Sequence, residues 1–340
     1  MTEALPTLWF VLIAVLWAGY LFLEGFDLGV GMLMKLMARN DTQRRVLLNT
    51  VGPVWDGNEV WLVTAVGATF AAFPHWYASL LSALYLPFLL VLLGLIFRAV
   101  AFEWRGKRDS DAWRDRWDWS IAVGSFIAAA GIGAALALTT TGLPLDVNGN
   151  RVGGAFAWAT MPALLGAVAV VLFCLVHAAA FVALKTEGSI RSQADRLFRR
   201  LLPVAMIPFL GWALLVQVGS GTVVTWFVVV LAVVAFIASY RAATVGRDGR
   251  AFAGLGVGML ALIGSIFGAA FPVVLPSTLD PAFDLTVQNA SSSPYTLGLM
   301  SLVACFGLPL VLAYQAWTYW VFRRRVSEAS IPAAHAVTAL

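Results

Sequence analysis

Long apolar runs, broken at intervals by short charged segments, set the pattern of this chain. Nine such runs stand out, over 8–36, 53–73, 78–101, 118–140, 155–184, 200–219, 222–240, 251–275 and 295–321. Each comes close to the roughly 20 residues that a helix needs to cross the hydrocarbon core of a bilayer. The pattern predicts an all-α, polytopic membrane protein with nine transmembrane helices. Only Gly219-Ser220-Gly221-Thr222 parts the sixth run from the seventh, so a single bent or re-entrant segment competes there.

The basic residues choose between those counts. Lys35, Arg39, Arg44 and Arg45 follow the first run, and a group from Arg98 to Arg116 follows the third. Lys185 to Arg200, Arg241 to Arg250, and Arg323 to Arg325 follow the fifth, seventh and ninth. Of 22 Lys and Arg residues, Arg151 alone falls after an even-numbered run. The positive-inside rule then puts the N-terminus outside and the C-terminus in the cytoplasm. Merging runs six and seven would break that regularity, so the expectation is nine spans. Residues 1–328 read as one transmembrane domain: an acid-bearing part over 8–140, a second part over 155–275 and a peripheral last helix over 295–321. A flexible cytoplasmic tail is expected over 329–340. The first run lacks a basic flank and is too long for a signal peptide, which predicts a retained span.

Composition agrees with the patterning. The chain is 61% hydrophobic and 12% charged, against about 25% charge in soluble domains. Its net charge of +4 is spread over several short connections. Nucleic-acid binding needs basic residues gathered on one face, and is excluded here. Cys174 and Cys305 lie in apolar surroundings and read as inert buried thiols. No cysteine–histidine metal cluster or haem-attachment sequence is present.

Two polar clusters interrupt the first two runs. Trp55-Asp56-Gly57-Asn58-Glu59-Val60-Trp61-Leu62 opens the second, and Glu24-Gly25-Phe26-Asp27-Leu28-Gly29-Val30-Gly31 lies inside the first. Ionisable groups in a membrane span are costly and mark a polar path or buried site. Glu24 and Asp27 are three apart, as are Asp56 and Glu59, so each pair shares a helix face. At about 1.5 Å per residue, Asp56 lies roughly 5 Å and Glu59 roughly 9 Å from the cytoplasmic end. On the same scale Asp27 lies roughly 10–13 Å deep and Glu24 roughly 15–18 Å. Such a ladder of acids suits proton transfer. A plainer reading also exists, in which acids at a helix start complement its dipole and the glycines form a packing groove. Asn58 and Trp61 add more polar groups within the same two turns than a simple cap needs.

Elsewhere the signals are weaker. Arg98, at the end of the third run, either reaches the interface or pairs with an acid. Trp104, Trp113, Trp117 and Trp119 suit an interfacial belt. His75 reads as a loop histidine. His177 is a lone histidine in an apolar run, without the second axial residue that a b-type haem usually wants. Gln217, Ser265 and Gln315 are the intramembrane polar groups of the second half, and the connection 272–294 is long enough to cap a partner.

Taken together, Gly25 to Leu33, Arg39-Asn40-Asp41-Thr42 and Trp55 to Leu62 resemble subunit II of the cytochrome bd quinol oxidases. The likeness continues through Phe97-Arg98, Trp117-Asp118-Trp119, Phe271 to Ser277 and Trp317-Thr318-Tyr319-Trp320. Ala99 departs from it, standing where that family usually has proline, and the connection from the fifth to the sixth run is compact. The resemblance implies a subunit of a membrane oxidase that takes electrons from quinol and reduces dioxygen to water in the bacterial cytoplasmic membrane. It implies that two b-type haems and haem d are ligated by a partner, subunit I, and none by this chain. Quinol, lipid and small accessory subunits belong to the same expectation, and some members hold a structural quinone in subunit II. It further implies a cytoplasmic proton route through this subunit, with Asp56 at the matching aspartate; the relay expected beyond it from the residues themselves is Glu24, Asp27 and Glu59, supported by Asn58, Trp55 and Arg98. Two other classes compete: a proton-coupled transporter, and a purely structural subunit whose acids only hold helices together. Transporters of the first kind usually show paired repeats, and the second half carries no matching acidic cluster.

Overall fold

Residues 4–331 are described by a computed structural model and are almost wholly helical. Helix α1 (Leu5–Met37) begins behind Pro6, tolerated in a first turn whose N–H groups are unpaired anyway. A short helix, α2 (Asp41–Val51), follows, and Asn40 caps it by accepting the Gln43 N–H at 2.9 Å. Then come α3 (Trp55–Ala72), α4 (Pro74–Ala83), α5 (Tyr85–Trp104), α6 (Asp111–Thr141) and α7 (Met161–Lys185). After them run α8 (Gly188–Ser220), α9 (Val223–Thr244) and α10 (Asp248–Ala270). A small antiparallel pair, β1 (Val273–Leu275) with β2 (Leu285–Thr286), precedes α11 (Pro294–Val321).

Among the described residues, eight helices are long and apolar enough to cross a membrane. The expected second span, α3, does not reach that standard, because Asp56, Asn58 and Glu59 crowd its first two turns. Several boundaries differ from the sequence expectation, among them the start of α6 at Asp111 rather than 118 and the end of α10 at Ala270 rather than 275. The stretch expected as a charged inner loop contains α2, with Val46, Leu47 and Val51 buried. The third apolar run is split at Leu84 into α4 and α5. Helix α7 starts at Met161 rather than 155, where Thr160 caps it. Helix α8 starts at Gly188, leaving only Thr186 and Glu187 between it and α7. The sixth and seventh runs are separate helices, parted at Gly221, and a Thr222–Thr225 capping box starts the second.

Helix α1 is the axis of the bundle, packed against α3, α6, α7 and α10, and every residue from Glu24 to Met34 is buried. Its close approach to α7 depends on Gly29. A Cβ there would stand 1.9 Å from the Cys174 carbonyl oxygen, far inside van der Waals contact. Helix α11 is the opposite case, with Leu297 its one buried residue among those described.

Polar contacts gather the basic connections at one end of the bundle. Asp118, fully buried, accepts from Arg105 Nε at 2.5 Å and Arg44 Nη1 at 3.1 Å, and Arg105 also reaches Asp41 at 2.6 Å. The segment after α11 folds back across this end. Lys185 donates to the Phe322 and Arg324 carbonyls, Val326 pairs with Thr186, and Arg325 reaches Asp248 at 2.9 Å. Glu328 then accepts from Gln43 and Ser189, both at 3.1 Å. The expected tail over 329–340 thus begins in an ordered 3-10 turn, Glu328–Ser330, and lies outside the described residues from 332 onward. At the other end, the connection after α10 packs on its own chain: Thr278 N–H donates to Leu143 O and Ser292 N–H to Ala72 O.

Candidate functional site

The acids of α1 and α3 meet the one buried cation of α5. Arg98 is fully buried, with Nη1 2.9 Å from Glu24 Oε1 and 3.5 Å from Glu59 Oε2. Of the two readings open for Arg98, it pairs with acids and does not reach the interface. Glu24 and Asp27 are fully buried, whereas the Glu59 side chain is 22% exposed. Asp27 Oδ2 accepts from Asn58 Nδ2 at 2.6 Å. Glu24 and Asp27, three residues apart, share one face of α1.

Both Glu24 oxygens, Asp27 Oδ1 and the three Arg98 nitrogens lack a hydrogen bond of good geometry among the described residues. The Arg98–Glu24 approach is therefore an ion pair by distance without aligned N–H groups. Tyr20, one turn before Glu24 on α1, is buried, and its hydroxyl has no partner among the described residues.

Asp56 stands apart from this cluster. It is exposed in the first turn of α3, and no ion pair brings it to Arg98 among the described residues. Trp55 explains the separation: its ring stacks on Phe102 at 5.0 Å, and both rings lie over the Arg98 guanidinium, at 6.0 and 5.1 Å. The aromatic pair covers the buried cluster while leaving Asp56 outside. The acids are thus graded from exposed Asp56 through partly exposed Glu59 to buried Glu24 and Asp27.

Two side chains of α11 complete the site. Gln315 Nε2 and Tyr319 OH both donate to Asn58 Oδ1, at 2.9 and 2.8 Å, and Trp61 Nε1 donates to Gln315 Oε1 at 2.9 Å. In the sequence Gln315 is only a polar residue in an apolar run and Tyr319 part of an interfacial belt. Tyr20, four residues before Glu24, did carry a local signal in its helical spacing.

His177 does not suit a haem iron. Its Nε2 stands 2.8 Å from the Phe22 carbonyl, and its ring is stacked between Phe173 and Phe252, with centroids 5.0 and 4.9 Å away. Among the described residues, no group of three or more His, Cys, Asp and Glu side chains is placed to hold a metal ion. A groove of about 650 Å³ between α1, α10 and α11 is lined chiefly by apolar side chains, with Trp61, Gln315 and Tyr319 at its polar edge.

A family model for cytochrome bd terminal oxidase subunit II matches residues 5–322. The chain is similar to cytochrome bd ubiquinol oxidase subunit 2 of Bacillus subtilis (strain 168), at 41% identity over 96% of this chain and 98% of that one. It is also similar to cytochrome bd-I ubiquinol oxidase subunit 2 of Escherichia coli (strain K12), at 32% identity over 97% of each chain. Its fold is similar to that of the bd oxidase from Geobacillus thermodenitrificans, with a TM-score of 0.77 over 94% of this chain and 98% of that one. The identity in that alignment is 17%, so the likeness concerns the fold alone.

Proposed function

This chain belongs to the cytochrome bd terminal oxidase subunit II family, and we propose that it supplies the cytoplasmic proton path of a quinol-oxidising, dioxygen-reducing complex. In this reading α3 counts as the ninth span, the basic end faces the cytoplasm of a bacterial inner membrane, and the chain pairs with a haem-bearing subunit I. Alone it has no oxidase activity, since the haems belong to the partner. Small accessory subunits, quinol and lipid complete the proposed assembly, and a structural quinone is compatible with the groove beside α11.

One observation carries the reading: the carboxyls of Glu24 and Glu59 share a single buried guanidinium, Arg98, and buried Asp27 lies one turn from Glu24 with no cation of its own among the described residues. Three carboxylates against one cation leave an excess of negative charge, which a low-dielectric site relieves by keeping a proton. A cluster of buried carboxyls that can hold and exchange protons is equipped to pass them on. Asp56, outside the Trp55–Phe102 pair, collects protons at the surface. Glu59 carries them past the aromatic cover, and Glu24 and Asp27 exchange them beyond it. The partner's oxygen-reducing haem is the destination.

Asp56→Asn tests the first step, because the amide keeps the shape but cannot carry a proton. Purified with its partner, that variant is expected to retain its haem spectrum while quinol-dependent oxygen consumption falls by about tenfold or more. Turnover equal to wild type would remove Asp56 from the path.

A further inference from the structure

The side chains behind Asp27 form a hydrogen-bond chain whose direction is fixed at both ends. Trp61 Nε1 donates to Gln315 Oε1, Gln315 Nε2 donates to Asn58 Oδ1, and Asn58 Nδ2 donates to Asp27 Oδ2. Tyr319 OH gives Asn58 Oδ1 a second donor, and Asn58 Nδ2 also reaches the Leu23 carbonyl at 3.2 Å. An indole N–H can only donate and a main-chain carbonyl can only accept. Neither amide can turn over without placing donor against donor or acceptor against acceptor.

We infer that Gln315 and Tyr319 are positioning residues for Asp27: they hold and polarise Asn58 so that its N–H stays on Asp27 Oδ2. Proton exchange is thereby confined to Oδ1, which has no hydrogen-bond partner among the described residues. Bonds in such a chain strengthen one another, so two donors on Asn58 Oδ1 sharpen the N–H offered to the carboxylate. The supporting geometry is specific. Trp61 packs against Gly19 of α1, where a Cβ would stand 2.4 Å from its ring. Helix α11, which carries both positioning residues, is attached near its start by Trp9 Nε1, donating to Leu297 O at 3.1 Å and Ser301 Oγ at 3.0 Å. Toward its far end Gln315 and Tyr319 tie it to Asn58 of α3, beyond which Lys185 of α7 donates to the Phe322 carbonyl. The placement of this otherwise exposed helix is therefore coupled to the environment of a buried acid.

The inference rests on the relay reading, in which Asp27 exchanges protons. The charged and titratable groups around Asp27 are Glu24 on its own helix, Glu59 from α3, Arg98 from α5 and Tyr319 from α11. The test uses the oxidase complex purified with its partner subunit and reads turnover against pH for wild type, Gln315→Met, Tyr319→Phe and Asp27→Asn. A weaker N–H on Oδ2 makes the carboxylate harder to form, so a higher pH is needed for the same ionised fraction. The profile should move to higher pH by about half a unit in Tyr319→Phe and about one unit in Gln315→Met. Turnover that falls evenly at every pH, with the profile in place, marks a structural role and overturns the inference. Should Gln315→Met fail to assemble, Tyr319→Phe decides, since it removes a single hydroxyl. Unaltered turnover in Asp27→Asn overturns the relay reading and this inference together. Slow Asp27→Asn with both other profiles unmoved overturns the inference alone.

Discussion

Arg98 holds the polar cluster together. Its guanidinium is the counter-charge for Glu24 and Glu59, and Trp55 and Phe102 shield it from the basic end. Removing one partner from a buried ion pair leaves an uncompensated charge, at a cost of about 3–5 kcal/mol. Arg98→Met should therefore lower the yield of intact complex and its thermal midpoint sharply, measured by haem absorbance during heating. Arg98→Lys keeps the charge but not the planar fork, and should fall between the two. The sequence placed Asp56, Glu59, Asp27 and Glu24 on a ladder of increasing depth. It could not show that Trp55 divides them, because that depends on a ring contact with Phe102 from another helix.

At the scale of elements, α1 and α7 meet where Gly29 has no side chain. Gly29→Ala would drive a methyl into the Cys174 backbone, which cannot rotate away. Overpacking of this kind costs about 1–3 kcal/mol or more, and should appear as a lower midpoint in thermal unfolding of the complex. The glycine spacing on α1 was legible in the sequence, and so were the helix ends at Gly221–Thr222. Helix α2 was legible in part. Asn40 before Asp41-Thr42-Gln43 is a capping signal, and Val46, Leu47 and Val51 fall on one helical side. A search for apolar runs passes over so short and charged a helix. The break between α4 and α5 also had its mark. Pro87 has no N–H to return to the carbonyl four residues earlier, so the helix parts near Leu84. Nothing local indicated that Gln315 would meet Asn58, because 257 positions separate them and each is an ordinary amide until packing joins them.

For the whole molecule, the basic end is tied by ion pairs and by the segment after α11. Asp248 is nearly buried and binds Arg191 at 2.8 Å and Arg325 at 2.9 Å, joining α8, α10 and the C-terminal segment. Both arginines are partly solvated, so the tie affects local order more than total stability. Asp248→Asn should loosen the already exposed segment at Arg323 to Arg325 and speed tryptic cleavage there; cleavage at the wild-type rate would show that the Lys185 and Glu328 contacts suffice alone. Separate ion pairs, Arg44 with Asp118 and Arg105 with Asp41 and Asp118, join α2 to the α5–α6 connection on the side of Arg98 and Glu24. The central proposal is that protons cross this chain through the Arg98–Glu24 pair. Time-resolved electrometry on proteoliposomes containing the oxidase, wild type against Glu24→Gln, tests it most directly. The proposal predicts that the charge-moving phase after an oxygen pulse slows by about tenfold or more while haem oxidation keeps its rate. A charge-moving phase as fast in Glu24→Gln as in wild type would contradict it.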